Sequence, residues 1–224
     1  MRAFLAVPIR PPAHAPVAAL IEAFRQQVAG VRWVDTVTTH FTLHFFAELP
    51  DDRLRPVVEA VGEAIAGRPA FPVRLGGLGS FPPGRPPGME SPLPARPEDL
   101  VGARGRPLPP RVLQPRGGRG GQRPPRVLWL GLAETSLELT ATAAAVRAAV
   151  AACGFELDHR PFSPHVTLGR PGPRFDGGAW QRMVGTDARI PGFIADQVVL
   201  YESRGGHHVR EVLPLTGPAQ TGAG

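Results

Sequence analysis

The tetrapeptide His-x-Thr-Leu occurs twice, as His40-Phe41-Thr42-Leu43 and His165-Val166-Thr167-Leu168, with the histidines 125 positions apart (165 − 40). An unperturbed imidazole titrates near pH ~6.5, so two of them in one site can coexist as a neutral base and a protonated acid. A hydroxyl beside each ring would hold negative charge that develops between them. This set suits in-line displacement at phosphorus, in which one ring activates the nucleophile and the other protonates the leaving oxygen. A strained cyclic phosphodiester would need no metal to polarise it.

Both tetrads sit in short apolar runs bounded by turn residues, the pattern of buried strands. Alternation on a strand puts His and Thr on one face and Phe41 and Leu43, or Val166 and Leu168, on the other. A metal site built on His40, His44 and His165 is the rival reading, and spacing argues against it. Four residues along a strand separate His40 from His44 by about 13 Å, whereas Zn–N bonds are near ~2.1 Å. Neither tetrad holds Asp or Glu, and Cys153 is the single cysteine. No metal and no cofactor is expected, and Cys153 reads as a small packing residue in a reducing, cytoplasmic compartment.

The elements that must position the tetrads can be read along the chain. Arg2 to Val7 predicts a strand, and Val17, Leu20, Ile21, Phe24 and Val28 predict a helix over 16–29 ending at Gly30. A short strand is expected over 31–34, and the first tetrad opens a strand from His40 to Phe46. Asp51 and Asp52 are expected to cap a helix over 53–66. Single strands are predicted over 71–78, 127–132, 193–201 and 209–215, helices over 136–152 and 178–184, and a turn at Gly205-Gly206. Strand, helix, strand, strand, helix, strand recurs loosely in each half, which predicts an α+β fold of two similar lobes facing across a cleft.

The 224 residues suffice for one bilobed domain over 1–216, and no apolar run approaches the roughly 20 residues of a membrane span. The net charge of +6 is unevenly placed: residues 83–126 carry nine Arg against three acids, and the remainder carries 16 of each. All basic residues are Arg. That Pro/Gly/Arg-rich segment is expected to be a disordered insertion, and 217–224 a disordered tail. The insertion reads either as a flexible arm that gathers RNA phosphates or as a low-complexity expansion.

The paired tetrads resemble the signature of the two-histidine (2H) phosphoesterases. More narrowly, the chain is similar to the RNA 2′,3′-cyclic phosphodiesterases, also called 2′-5′ RNA ligase-like proteins. Supporting segments are 2–8, Arg32-Trp33-Val34, 75–82, 126–131 and Leu200-Tyr201-Glu202-Ser203. The resemblance implies pseudo-symmetric lobes with antiparallel sheets around a central cleft and helices outside. It further implies metal-independent hydrolysis of RNA 2′,3′-cyclic phosphate ends, tRNA fragments among them, to 2′-phosphomonoesters by a monomeric enzyme. By carry-over His40 is the proton donor, His165 the proton acceptor, and Thr42 and Thr167 hold the phosphate. His44 and Arg170 are the substrate-binding candidates. His44 stands where relatives often carry Lys or Arg, so RNA binding through it would weaken above pH ~6.5. Arg170 lies at an odd offset from His165, which on an ideal strand points it away from the cleft. The same site could act as a 2′-5′ RNA ligase or 2′-5′ phosphodiesterase, or survive in a vestigial RNA-binding module. His14, His159, His207 and His208 read as solvated, with the 205–208 turn a candidate for the cleft rim. Trp33, Trp129 and Phe162 read as packing residues.

Overall fold

The computed structural model describes residues 1–82, 124–158, 160–184 and 190–217. Most of the Arg-rich segment (83–123), His159 and the tail 218–224 therefore lie outside the described residues. Within them the chain runs β1 (Ala3–Pro8), α1 (His14–Gln27), β2 (Val31–Trp33), a 3₁₀ turn (Thr36–Thr38), β3 (His40–Phe46), α2 (Asp51–Ile65), β4 (Phe71–Val73) and β5 (Leu75–Phe81). It continues with β6 (Val127–Leu132), α3 (Leu137–Ala152), β7 (Val166–Pro171), α4 (Gly177–Val184), β8 (Phe193–Ala195), β9 (Gln197–Ser203) and β10 (His207–Pro214).

Strands pair antiparallel in the order β10-β9-β1-β3-β7-β6-β5, with β2 also beside β7, while β4 and β8 form a separate two-stranded sheet. The two tetrad strands meet at one registered pair, Phe41 opposite Val166. The main sheet is thus two four-stranded arrays, β3-β1-β9-β10 and β2-β7-β6-β5, joined at the tetrads. This is the expected α+β, antiparallel, two-lobed plan, but the lobes are not the halves of the chain. The last two strands complete the first lobe, and β2 and β5 complete the second.

One face of the sheet is covered by helices. Leu5 and Val7 of β1, Phe41, Leu43, Val166 and Leu168 share a core with Val17, Ile21 and Phe24 of α1, Val57, Val61 and Ile65 of α2, and Leu139, Ala143 and Val146 of α3. Those helical residues recur at three- and four-residue intervals, which turns them to one side. Ser136 starts α3 by accepting a hydrogen bond from the Leu139 amide at 3.2 Å. On the opposite face Phe4, Ala6, Val199 and Tyr201 form a second, smaller apolar cluster. Strand β1 is consequently buried on both sides, which explains its unbroken apolar run.

Local expectations fail in instructive places. Asp51 and Asp52 lie inside the first turn of α2 and Pro50 is its N-cap, so the carboxylates favour the helix dipole without capping an amide. The apolar runs 71–78 and 193–201 each divide after three residues, at Arg74 and Asp196, where the chain leaves the two-stranded sheet for the main one. A one-residue break leaves the alternation looking continuous. Among the described residues no helix is long and apolar enough to cross a membrane.

Candidate active site

Each tetrad histidine is oriented by the backbone two residues before it. His40 Nδ1 lies 2.6 Å from the Thr38 carbonyl oxygen, and His165 Nδ1 lies 2.7 Å from that of Ser163. A carbonyl only accepts, so each Nδ1 carries a hydrogen and donates it. The neutral rings are therefore Nδ1–H tautomers that expose a basic Nε2. Among the described residues neither Nε2 has a hydrogen-bond partner in the protein.

The Phe41–Val166 pair fixes how the tetrads face one another. Continuing that antiparallel register sets His40 across from Thr167 and Thr42 across from His165, all on the face opposite the helices. Directly opposed side chains have Cβ atoms about 4.5–5.5 Å apart, and diagonal ones about 7–8 Å. On that register the two imidazoles lie on one diagonal and the two hydroxyls on the other, around the one pair at which the tetrad strands meet. The two rings also feel each other electrostatically, since charge on His165 disfavours a proton on His40.

Both tetrad strands carry a β-bulge at the tetrad leucine. Against β1, the register passes from Thr42 opposite Ala6 to His44 opposite Leu5, which leaves Leu43 extra. Against β6 it passes from Thr167 opposite Trp129 to Gly169 opposite Leu128, which leaves Leu168 extra. An extra residue reverses the facing of every side chain beyond it. His44 consequently turns to the helix side, 9% exposed, with its ring edge-on to Phe46 at 4.5 Å. Burial and the charge of Arg147 lower its proton affinity. The same reversal turns Arg170 to the His165 side, where it is exposed and its charge acts on that ring. Of the two substrate-binding candidates the structure thus brings Arg170 to the site and seats His44 on the other face. Phe45, at the position in β3 that Arg170 holds in β7, is 45% exposed with the Arg2 guanidinium 5.4 Å from its ring centre.

Aromatic rings form the floor around both histidines. His40 stacks on Phe4 at 4.6 Å, and Phe4 stacks on Tyr201 at 5.1 Å. His165 meets the edge of Phe81 at 5.0 Å, and Phe81 lies 5.4 Å from Trp129. Trp129 is therefore part of the site's wall. Its indole lies over Gly79, where any Cβ would come within 2.2 Å of the ring. Loss of hydration among these rings pulls the His40 pKa down to about 4; the Thr38 carbonyl counters this, and His207 and His165 add to the fall. His165 is lowered too, first by burial and then by Arg170, with the Ser163 carbonyl opposing.

Sequence reasoning missed Phe4, Tyr201 and His207 as neighbours of His40. His207, read as solvated on a turn that is a candidate for the cleft rim, sits 5.4 Å from His40 ring to ring. One signal was available: a hydroxyl residue precedes each histidine by two positions, Thr38 and Ser163, so the repeat is longer than the tetrad. Among the described residues no three His, Cys, Asp or Glu side chains group closely enough to share a metal ion.

A family model described as LigT-like phosphoesterase matches residues 7–89 and 130–210, a span that holds both tetrads. The chain belongs to the LigT-like phosphoesterase family. Within that family it is 25% identical over 167 residues to an RNA 2′,3′-cyclic phosphodiesterase of Geobacillus stearothermophilus, covering 75% of this chain and 41% of that protein. It is 30% identical over 82 residues to one of Methanothermobacter thermautotrophicus, covering 37% and 45%. The matched stretches thus span less than half the length of these relatives. The fold matches the crystal structure of a Thermus thermophilus protein, TT0787, with a TM-score of 0.63 at 22% identity, over 97% of this chain and 99% of that one. E. coli LigT complexed with 3′-AMP matches with a TM-score of 0.60 at 18% identity, over 96% and 98%.

Proposed function

We propose that this LigT-like phosphoesterase hydrolyses RNA 2′,3′-cyclic phosphate ends to 2′-phosphomonoesters without a metal ion. The observation that carries the reading is the pair of Nδ1-tethered imidazoles set diagonally across two threonines on one open sheet face. The names of the relatives support the substrate class.

The cyclic phosphate sits between the rings, its non-bridging oxygens taking hydrogen bonds from the Thr42 and Thr167 hydroxyls and charge from Arg170. His165 Nε2 removes a proton from a water that attacks phosphorus in line with the P–O3′ bond. His40, protonated at Nε2, gives its proton to O3′ as that bond breaks. The new P–O bond replaces the old one, and the rings exchange their protonation states, to be reset through solvent. An empty His40 is neutral near pH 7, so the anionic substrate itself must favour the proton the acid donates.

The test is incubation of the purified protein, chelator present, with an oligoribonucleotide ending in a 2′,3′-cyclic phosphate. The expected product is the 2′-phosphomonoester, and His40→Asn or His165→Asn should lower turnover about 10²–10⁴-fold. No product from the wild-type chain, or full activity in both variants, would sink the reading. A cyclic substrate with sulfur as the bridging 3′ atom separates the two roles, because a thiolate leaves without a proton. It should restore His40→Asn and not His165→Asn.

A further inference from the structure

His207 opens β10 directly after the Gly205-Gly206 turn, far from either tetrad in sequence, yet its ring meets three rings of the first lobe's floor. It is edge-on to Phe4 at 4.8 Å and to His40 at 5.4 Å, and tilted against Tyr201 at 6.4 Å. Thr38 holds both imidazoles. Its carbonyl accepts from His40 Nδ1 at 2.6 Å, and its hydroxyl shares a hydrogen bond with His207 Nδ1 at 3.0 Å. With both Nδ1 atoms occupied, each ring can act only through Nε2, and among the described residues His207 Nε2 has no partner. Strand pairing sets the ring there: His207 lies opposite Ser203 on β9, two positions from Tyr201.

We propose that His207 is a third substrate-contacting imidazole of this site, presenting Nε2 to a non-bridging oxygen of the phosphate held against His40. The inference rests on the phosphodiesterase reading and adds a residue to it. The pattern fits a binding role better than a proton-transfer role. His207 stands beside the ring that already serves the leaving group, and nothing in a single displacement needs a third titrating step. A neutral ring whose Nδ1 accepts from the Thr38 hydroxyl carries its hydrogen on Nε2 and donates there. Burial lowers its proton affinity, the Asp35 carboxylate opposes this, and the neighbouring His208 adds to the fall. His40 and Tyr201 are the other titratable groups against the ring.

The competing role is a mechanical one, in which His207 merely steadies Thr38 and thereby His40. Amide replacements distinguish the two, because Asn can reproduce the Nδ1 bond to Thr38 while Gln reaches the position of Nε2. With a 2′,3′-cyclic phosphate substrate, His207→Ala and His207→Asn should raise KM roughly tenfold with kcat within about threefold, and His207→Gln should recover most of the loss. Rescue by Asn and not Gln, a loss confined to kcat, or an unchanged KM in His207→Ala would each overturn the proposal. A second measurement needs no variant: the His207 ring ¹⁵N resonances of the wild-type protein should shift on saturation with adenosine 2′-monophosphate, and an unmoved signal overturns the proposal equally. Should the wild-type chain turn over no cyclic phosphate while those resonances still move, the phosphodiesterase reading fails and the anion contact stands.

Discussion

Anion binding between the two rings should draw a proton onto His40, and the size of the effect follows from its surroundings. With a pKa of about 4 in the empty site, the ring is about 1% protonated at pH 6. A single negative charge about 4 Å away contributes about 4 kcal/mol at an effective dielectric of about 20. That is close to a thousandfold in proton affinity, enough to carry the pKa to about 7 and leave the ring about 90% charged at pH 6. Sulfate is a suitable probe, since it does not itself titrate in this range and its second negative charge can only enlarge the shift worked for one. Calorimetry at pH 6 in two buffers of different ionisation enthalpy reports the protons taken up. Some uptake will come from His165 and His207, so the informative quantity is the difference between the wild-type protein and His40→Asn. That difference should lie between half a proton and one, and sulfate affinity should fall as pH rises from 5 to 7. Equal uptake by the two proteins would refute the placement of His40 against the anion, and with it the idea that substrate supplies the acid's proton.

The bulges make opposite predictions for the two basic candidates beyond the tetrads. Arg170→Ala should raise KM about tenfold and weaken the salt dependence of binding, whereas His44→Ala should leave KM within twofold and lower the denaturation midpoint, since its ring packs on Phe46. Removing the hydroxyl that starts α3, Ser136→Ala, should cost about 1 kcal/mol in chemical denaturation with no change in KM. Stability should also depend on His40. Its folded-state pKa of about 4 lies below the unfolded ~6.5, so the unfolded chain binds more protons between these values. The contribution is fully present above pH ~6.5 and is lost as pH falls towards 4, by up to about 3 kcal/mol. His40→Asn should flatten that part of the stability profile, which urea titrations at pH 4.5 and 7 would reveal.

Much of this site could be read without coordinates. The tetrads carry their chemistry in residue type, and their alternation assigns His and Thr to one face and the apolar partners to the other, because a strand's period is a local property. Both strands appear where that alternation puts them, and Ser136 begins α3 because a hydroxyl followed by an apolar helical pattern has a local preference for that place. What needed the tertiary structure depends on pairing between distant segments. Whether Leu43 and Leu168 are extra is decided by the strands beside them, and that alone sends His44 to the core and Arg170 to the open face. His207 reaches His40 only because β9 and β10 complete the lobe begun by β1 and β3. The depth that strips His40 of its proton comes from Phe4, Tyr201 and His207, three residues from three strands. Spacing along one strand cannot encode such contacts, because they arise from hydrogen-bond register and burial between elements that the chain brings together only on folding.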